Sequence, residues 1–301
     1  MMQHFLDISD FSAVQISGLL KRAHQLKATP LAEDVLANRS VGMIFEKPST
    51  RTRVSFEVGI RQLGGQPLML SSSDLQIGRG ETIHDTAKVL SRYLDMVMIR
   101  CLKHETLMEL ANHADMPVIN GLTNRSHPCQ IMADMLTIEQ RFGSLDGRII
   151  SWFGDGNNVL NSWIDAAAVF DFELRIAGPA AYHPDETRLA EARAKGARIL
   201  VTDNAIAAAE NADVLMTDVW ISMGDDEGTR RQDLSPFQVN DSLMSKAKDS
   251  AIFMHCLPAW RDMEVSAEVI DGPQSAVFDQ AENRLHAQKA VMGFLAEHMT
   301  R

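Results

Sequence analysis

With 301 residues the chain is long enough to bury a sizeable core, and the usual domain size predicts two domains. Lys and Arg total 29 against 40 Asp and Glu, a formal net charge of -11, so general attraction to nucleic acid or to anionic membrane is not expected and any anion site must be local. The three cysteines, Cys101, Cys129 and Cys256, are odd in number and lack CxxC spacing, which argues against a disulfide framework or structural zinc and for a reducing, cytoplasmic setting.

The N-terminal "MMQHFLDISDF" has no basic stretch followed by an apolar run. No apolar stretch reaches the roughly 18 residues of a membrane span, so export and insertion are not expected. The first strand signal, "SVGMIFEK", hands over after Pro48 to "STRTRVSF", which opens a helix pattern. Ser49, Thr50 and Thr52 with nearby backbone N–H groups offer donors to phosphate oxygens, and Arg51 offers a planar fork. Taken alone, the same stretch also fits a Ser/Thr helix cap beside two solvated arginines.

Strand signals continue with "QPLMLSS", "MVMIRC" and "MPVINGL", separated by the helix pattern "ETIHDTAKVLSRYL". Arg100 falls at the end of "MVMI", the end at which open α/β sheets bind ligands. In "HPCQ", His127 precedes Pro128 at the start of the helix "PCQIMADMLTIEQRFG", where the helix dipole favours a neutral imidazole able to polarise a carbonyl. A capping or packing histidine fits the same position.

A turn at "RFGSLDGR", 141 to 148, is the expected junction, giving domains of 1–142 and 143–279. Beyond it come "GRIISWFG", "FELRIAG", "RILVTD", "DVLMTDVW" and "SAIFMHCLP", about nine strand signals in all. The helices "NVLNSWIDAAAVF" and "ETRLAEARAKGA" lie between them. Alternating β and α units predict α/β architecture with two doubly wound parallel sheets. The last pattern, "DQAENRLHAQKAVMGFLAEHM", is a long helix over about 280–301, expected to pack back across the junction to the first domain.

In the second half, "FGDGNN" only partly matches a dinucleotide glycine motif, because Val159 stands where the third glycine belongs. Asn157 and Asn158 at the helix start either bind a small polar ligand or cap the helix. Asp218 ends a strand before the polar stretch "ISMGDDEG", and Cys256 follows another strand in "HCLP" as either a functional thiol or a packing residue.

In this order, "STRTR", "HPCQ", "DVWISMG" and "HCLP", with "AENR" near the end, resemble the motif set of the aspartate/ornithine carbamoyltransferase family over residues 4 to 300. The two later motifs resemble the ornithine branch. The resemblance implies carbamoyl phosphate binding by Ser49, Thr50, Arg51, Thr52, Gln76, Arg100, His127, Pro128, Cys129, Gln130, Cys256, Leu257 and Arg284. It implies ornithine binding by Asn158, Asp218, Ser222 and Met223, with Arg51, Arg100, His127, Asp218 and Cys256 carrying the chemistry. The implied reaction is carbamoyl transfer from carbamoyl phosphate to the δ-amine of L-ornithine, giving citrulline and phosphate, without metal or organic cofactor, in a cytoplasmic homotrimer. Transfer to putrescine or N-acetylornithine, or anion binding without catalysis, are the competing readings.

Overall fold

The computed structural model describes residues 3–71, 80–221 and 228–299; Gln76, Ser222 and Met223 therefore lie outside the described residues. The chain divides into two compact units, Met1–Leu136 with Asn283–Arg301, and Thr137–Glu282. The division falls inside a helix rather than at the turn after it, where the sequence pattern breaks.

In the first unit, helix α1 (Ala13–Ala28) precedes strand β1 (Ser40–Phe45), then α2 (Thr50–Gln62), β2 (Gln66–Ser71) and α3 (Ile83–Tyr93). Strand β3 (Met96–Arg100), α4 (His104–His113), β4 (Val118–Leu122) and α5 (Pro128–Phe142) follow. The strands pair in parallel in the order β2-β1-β3-β4. β1 and β3 are central and buried almost throughout, as expected of parallel strands covered on both faces, whereas edge strand β2 exposes Leu68 and Met69. Ile44, Val97, Ile99, Leu107, Leu110 and Val118 form one continuous core.

The second unit runs β5 (Ile149–Phe153), α6 (Asn158–Ala167), β6 (Glu173–Ala177), α7 (Glu186–Ala194), β7 (Arg198–Thr202), α8 (Ala205–Ala209) and β8 (Val214–Thr217). It continues through α9 (Arg230–Leu234), α10 (Asp241–Met244), β9 (Ile252–His255), α11 (Ala267–Ile270) and the start of α12 (Val277–Glu297). All five strands are parallel, in the order β7-β6-β5-β8-β9. Phe153, Leu215, Phe253 and Val265 anchor its core; truncating Leu215 to Ala would cost about 2–5 kcal/mol of transfer and cavity energy.

From Asn283 onward α12 belongs to the first unit, where it is tied by side chains. Lys27 Nζ donates to Asn283 Oδ1 at 2.8 Å, Lys289 Nζ to Gln62 Oε1 at 2.9 Å, and Arg39 Nη1 to the Ala296 carbonyl at 3.1 Å.

Both sheets change winding direction at one place, between β1 and β3 in the first and between β5 and β8 in the second. In such sheets the connecting helices leave on opposite sides at that point and open a crevice at the carboxyl ends. The four strand ends concerned lead to Ser49, Arg100, Asn158 and Asp218. Fold topology thus places part of the motif set, the stretches holding Ser49, Arg100, Asn158 and Asp218, at or after the ends of strands that border a switch point.

Candidate active site

In the first unit, Ser49 caps α2 and its hydroxyl accepts from Thr52 N at 3.4 Å, leaving Thr50 and Arg51 in the opening turn. Thr52 is fully buried. Its Oγ1 lies 3.0 Å from Ser49 Oγ and accepts from Arg100 Nη1 at 3.3 Å and Arg284 Nη2 at 2.7 Å. Arg100 comes from the end of β3 and Arg284 from α12, so two separate elements bring two guanidinium groups to the N-terminus of a third, α2. A hydroxyl has only two lone pairs to offer such donors, and the positive end of the helix dipole adds to theirs. An anion oxygen is the partner this group of donors suits best.

His127, buried just ahead of α5, is held well below the ordinary histidine value of 6.5 by burial first, then by the Arg284 and Arg100 guanidinium groups. The imidazole is therefore held toward its neutral form, as the sequence suggests, with burial and the two guanidinium groups as its causes. Pro128 opens α5 and the next residue, Cys129, is a buried thiol pushed up to about 12 by burial, which donates to the Asn120 carbonyl at 3.3 Å. One position on, Gln130 gives its amide N–H to Asp134 Oδ1 at 2.8 Å, while its buried Oε1 meets no hydrogen-bond partner among the described residues. A buried carbonyl oxygen of this kind is an acceptor suited to an N–H.

In the second unit, Asn157 caps α6, its Oδ1 accepting from Val159 N at 2.9 Å and Leu160 N at 3.1 Å. Its Nδ2 donates to Asp218 Oδ2 at 2.7 Å. The other Asp218 oxygen accepts from Val219 N at 2.8 Å and from the Cys256 thiol at 3.0 Å. Asn158, the first residue of α6, is half-buried beside this group in sequence. Asp218, Asn157 and Cys256 thus form one hydrogen-bonded cluster at the carboxyl ends of β5, β8 and β9.

Leu257 adopts a positive φ of 58°, a region that costs a non-glycine residue about 1–2 kcal/mol. Its N–H donates to His255 Nδ1 at 2.9 Å, which leaves Nε2 to carry the ring proton toward Glu264 Oε1 at 3.2 Å. Glu264 Oε1 also accepts from Trp260 N at 2.7 Å. The buried His255–Glu264 pair therefore fixes the shape of the chain on either side of Leu257. Sequence reading singled out Asn157 together with Asn158 as a ligand binder or helix cap, and Asn157 is the cap; it assigned no role to His255 or Glu264.

Asp218, His255 and Cys256 bring possible metal-ligand atoms within 4.8 Å of one another. His255 has no spare lone pair, because one ring nitrogen accepts from Leu257 and the other faces Glu264. As arranged, the trio offers two donors, short of a four-ligand structural site. No helix among the described residues is long and apolar enough to cross a membrane.

Known proteins carry the same organisation. Residues 3–140 match the family model "Aspartate/ornithine carbamoyltransferase, carbamoyl-P binding domain", and residues 146–295 match "Aspartate/ornithine carbamoyltransferase, Asp/Orn binding domain". The ornithine carbamoyltransferase of Ruegeria pomeroyi is 51% identical over 302 residues, covering 97% of this chain and 98% of that one. That of Bradyrhizobium diazoefficiens is 52% identical over 296 residues, covering 97% and 96%. The solved ornithine carbamoyltransferase from Pyrococcus furiosus superposes with a TM-score of 0.92 at 45% identity, covering 96% of each chain. Matched by family models over both units and by relatives along nearly its whole length, this chain belongs to the aspartate/ornithine carbamoyltransferase family.

Proposed function

We propose that the protein transfers the carbamoyl group of carbamoyl phosphate to the δ-amine of L-ornithine, giving L-citrulline and phosphate. The observation that carries this reading is the convergence of Arg100 and Arg284 on Thr52 at the N-terminus of α2 in an acidic chain, beside a neutral His127. Such donors suit an acyl phosphate whose leaving phosphate oxygens gain charge in the transition state.

In this reading Ser49, Thr50, Arg51, Thr52 and Arg100 hold the phosphate. His127, with Arg100 and Thr52, polarises the carbamoyl carbonyl. The Gln130 Oε1 accepts from the carbamoyl nitrogen, and its orientation is already set by the bond to Asp134. Arg284 adds positive charge, and by family resemblance Pro128, Cys129, Cys256, Leu257 and Gln76 also belong to the carbamoyl phosphate set. Asp218 pairs with the α-ammonium of ornithine and Asn158 engages its α-carboxylate, with Ser222 and Met223 assigned by resemblance.

The neutral amine nitrogen forms the new C–N bond as the C–O bond breaks with its electron pair leaving on phosphate, and the proton shed by that nitrogen passes to the departing phosphate or to solvent. A primary amine with a pKa of about 10.4 is neutral in only about one molecule in 2,500 at pH 7, so the site must favour the neutral form. Positive charge close to an amine does so by repulsion. The Cys256 thiol, already donating to Asp218, orients the amine; no acyl-enzyme is needed because the mixed anhydride is itself activated. A carboxylate at Asp218 disfavours the dianion aspartate as acceptor.

The enzyme is further proposed to be a cytoplasmic homotrimer, on the family's pattern and the three free cysteines of a chain kept reduced. The test is citrulline formation by the purified protein from carbamoyl phosphate with ornithine, putrescine, N-acetylornithine, lysine and aspartate in turn, with molar mass from light scattering. Preference for any acceptor other than ornithine overturns the assignment.

A further inference from the structure

Resting on the amine-site reading above, we propose that Arg230 and Asp155 are positioning residues for the amine substrate, acting together to hold the turn between β5 and α6. Arg230 Nη2 lies 2.9 Å from Asp155 Oδ2, and both side chains are only 17% exposed. The same guanidinium stacks over the Tyr182 ring, 4.8 Å from its centroid, a use of arginine that lysine does not reproduce. Tyr182 is itself fixed at both ends. Its hydroxyl donates to Asp233 Oδ2 at 3.0 Å, an oxygen that also takes the Thr229 hydroxyl at 2.6 Å. Its backbone carbonyl accepts from Gly156 N at 2.8 Å.

The turn is gripped on its other side as well, since Trp152 Nε1 donates to the Asp155 carbonyl at 2.9 Å. It has no room to shift: a Cβ at Gly156 would meet the Tyr182 carbonyl at 2.7 Å and Pro184 N at 2.9 Å. What the turn carries next is Asn157, which caps α6 and donates to Asp218 Oδ2 at 2.7 Å, and then Asn158. Any play at Asp155 passes within two residues to the groups assigned to the amine. The turn reaches Asp218 through Asn157, whose Nδ2 donates to Asp218 Oδ2, so the influence of Arg230 and Asp155 runs through Asn157.

A partly buried ion pair with a stacked guanidinium has a fixed geometry, unlike the exposed pairs that contribute almost nothing. Its loss should therefore misplace rather than unfold. The experiment uses the full-length enzyme as wild type, Arg230→Met, Arg230→Lys, Asp155→Asn and the double variant Arg230→Met with Asp155→Asn. Citrulline formation is measured with ornithine varied at saturating carbamoyl phosphate, and the reverse. Arg230→Met and Asp155→Asn are each expected to raise the ornithine KM by about ten- to a hundredfold, the scale of a small misplacement of a binding group. The KM for carbamoyl phosphate should stay within about twofold, and the double variant should be no worse than the worse single one, because both act through one contact.

Arg230→Lys keeps the charge and should recover part of the loss, which also covers the case in which the methionine variant does not fold. An ornithine KM within about twofold of wild type in both Arg230→Lys and Asp155→Asn would overturn the proposal, as would parallel rises in both KM values with a lowered melting temperature. A wild type that forms no citrulline would instead sink the functional reading beneath it.

Discussion

Arg284 on α12 donates to Thr52 Oγ1 on α2 at 2.7 Å, joining residues 232 positions apart in the chain. The contact makes the last helix part of the cationic group rather than a mere cover. Arg284→Met keeps the length and apolar stem while removing the charge. With one charged contact to a developing anion lost, turnover on carbamoyl phosphate should fall about a hundredfold, on the order of 3 kcal/mol, and Arg51→Met should behave alike. Inorganic phosphate should also raise the melting temperature of the wild type more than that of either variant. Equal protection of all three proteins would remove these arginines from the anion site.

The fold was legible because central parallel strands are covered on both faces and so appear as unbroken apolar runs; "SVGMIF" and "MVMIR" are two of the nine found. Short helices escaped notice: α10 and α11 have four residues each, too few to show a 3.6-residue period. In the site, donors at strand ends could be read directly, since topology puts ligands there. Partners could not. Nothing in the spacing says that Asn157 reaches Asp218, 61 positions away, or that the Leu257 N–H and Glu264 together hold the His255 ring. Arg284 was found only through its likeness to a family motif, because a contact of such sequence separation leaves no local pattern.

His127 gives a pH prediction whose sign follows from linkage. Burial, Arg284 and Arg100 lower its folded-state value well below 6.5, so from about pH 6.5 downward the unfolded chain binds a proton that the folded protein refuses. Its contribution to stability is thus intact above pH 6.5 and is lost progressively as pH falls below it, at up to about 1.4 kcal/mol per pH unit. His127→Gln should flatten this acid limb. His4, also lowered by burial, is present in both proteins and cancels in the comparison. Urea midpoints at pH 5, 6 and 7 check it: the stability difference between variant and wild type should shift in the variant's favour toward pH 5. A difference independent of pH would mean that the histidine takes up its proton in the folded state.

Cys256 is tested by a smaller change. The thiol lies 3.0 Å from Asp218 Oδ1, so Cys256→Ser keeps a donor to the carboxylate while shortening its reach and changing its proton affinity. If the thiol orients the amine, the ornithine KM should rise by roughly tenfold, the scale of one weakened polar contact, with a smaller change for carbamoyl phosphate. Steady-state kinetics with each substrate varied in turn decides it. Unchanged ornithine kinetics would return Cys256 to a packing role.

The choice of amine should rest on Asp218. Its two oxygens are taken up by Asn157 Nδ2, Val219 N and the Cys256 thiol, which orient the carboxylate and leave its charge for an incoming cation. Pairing with the α-ammonium of ornithine, and of Asn158 with the α-carboxylate, would leave one group unmatched by putrescine, which has no carboxylate, and another by N-acetylornithine, whose α-nitrogen is uncharged. A site built for a polar group rejects analogues lacking it by far more than the about 1–3 kcal/mol attached to one methylene, so lysine should be a poor but detectable acceptor and the other two worse. Asp218→Asn removes the charge and turns an amide N–H₂ toward either Asn157 or Cys256, so it disorders the cluster as well as weakening the ion pair. The ornithine KM should rise at least about a hundredfold, while carbamoyl phosphate protects the variant against heat as it does the wild type. Kinetics with all four amines on both proteins is the measurement, and a variant that keeps the wild-type ornithine KM would remove Asp218 from amine recognition.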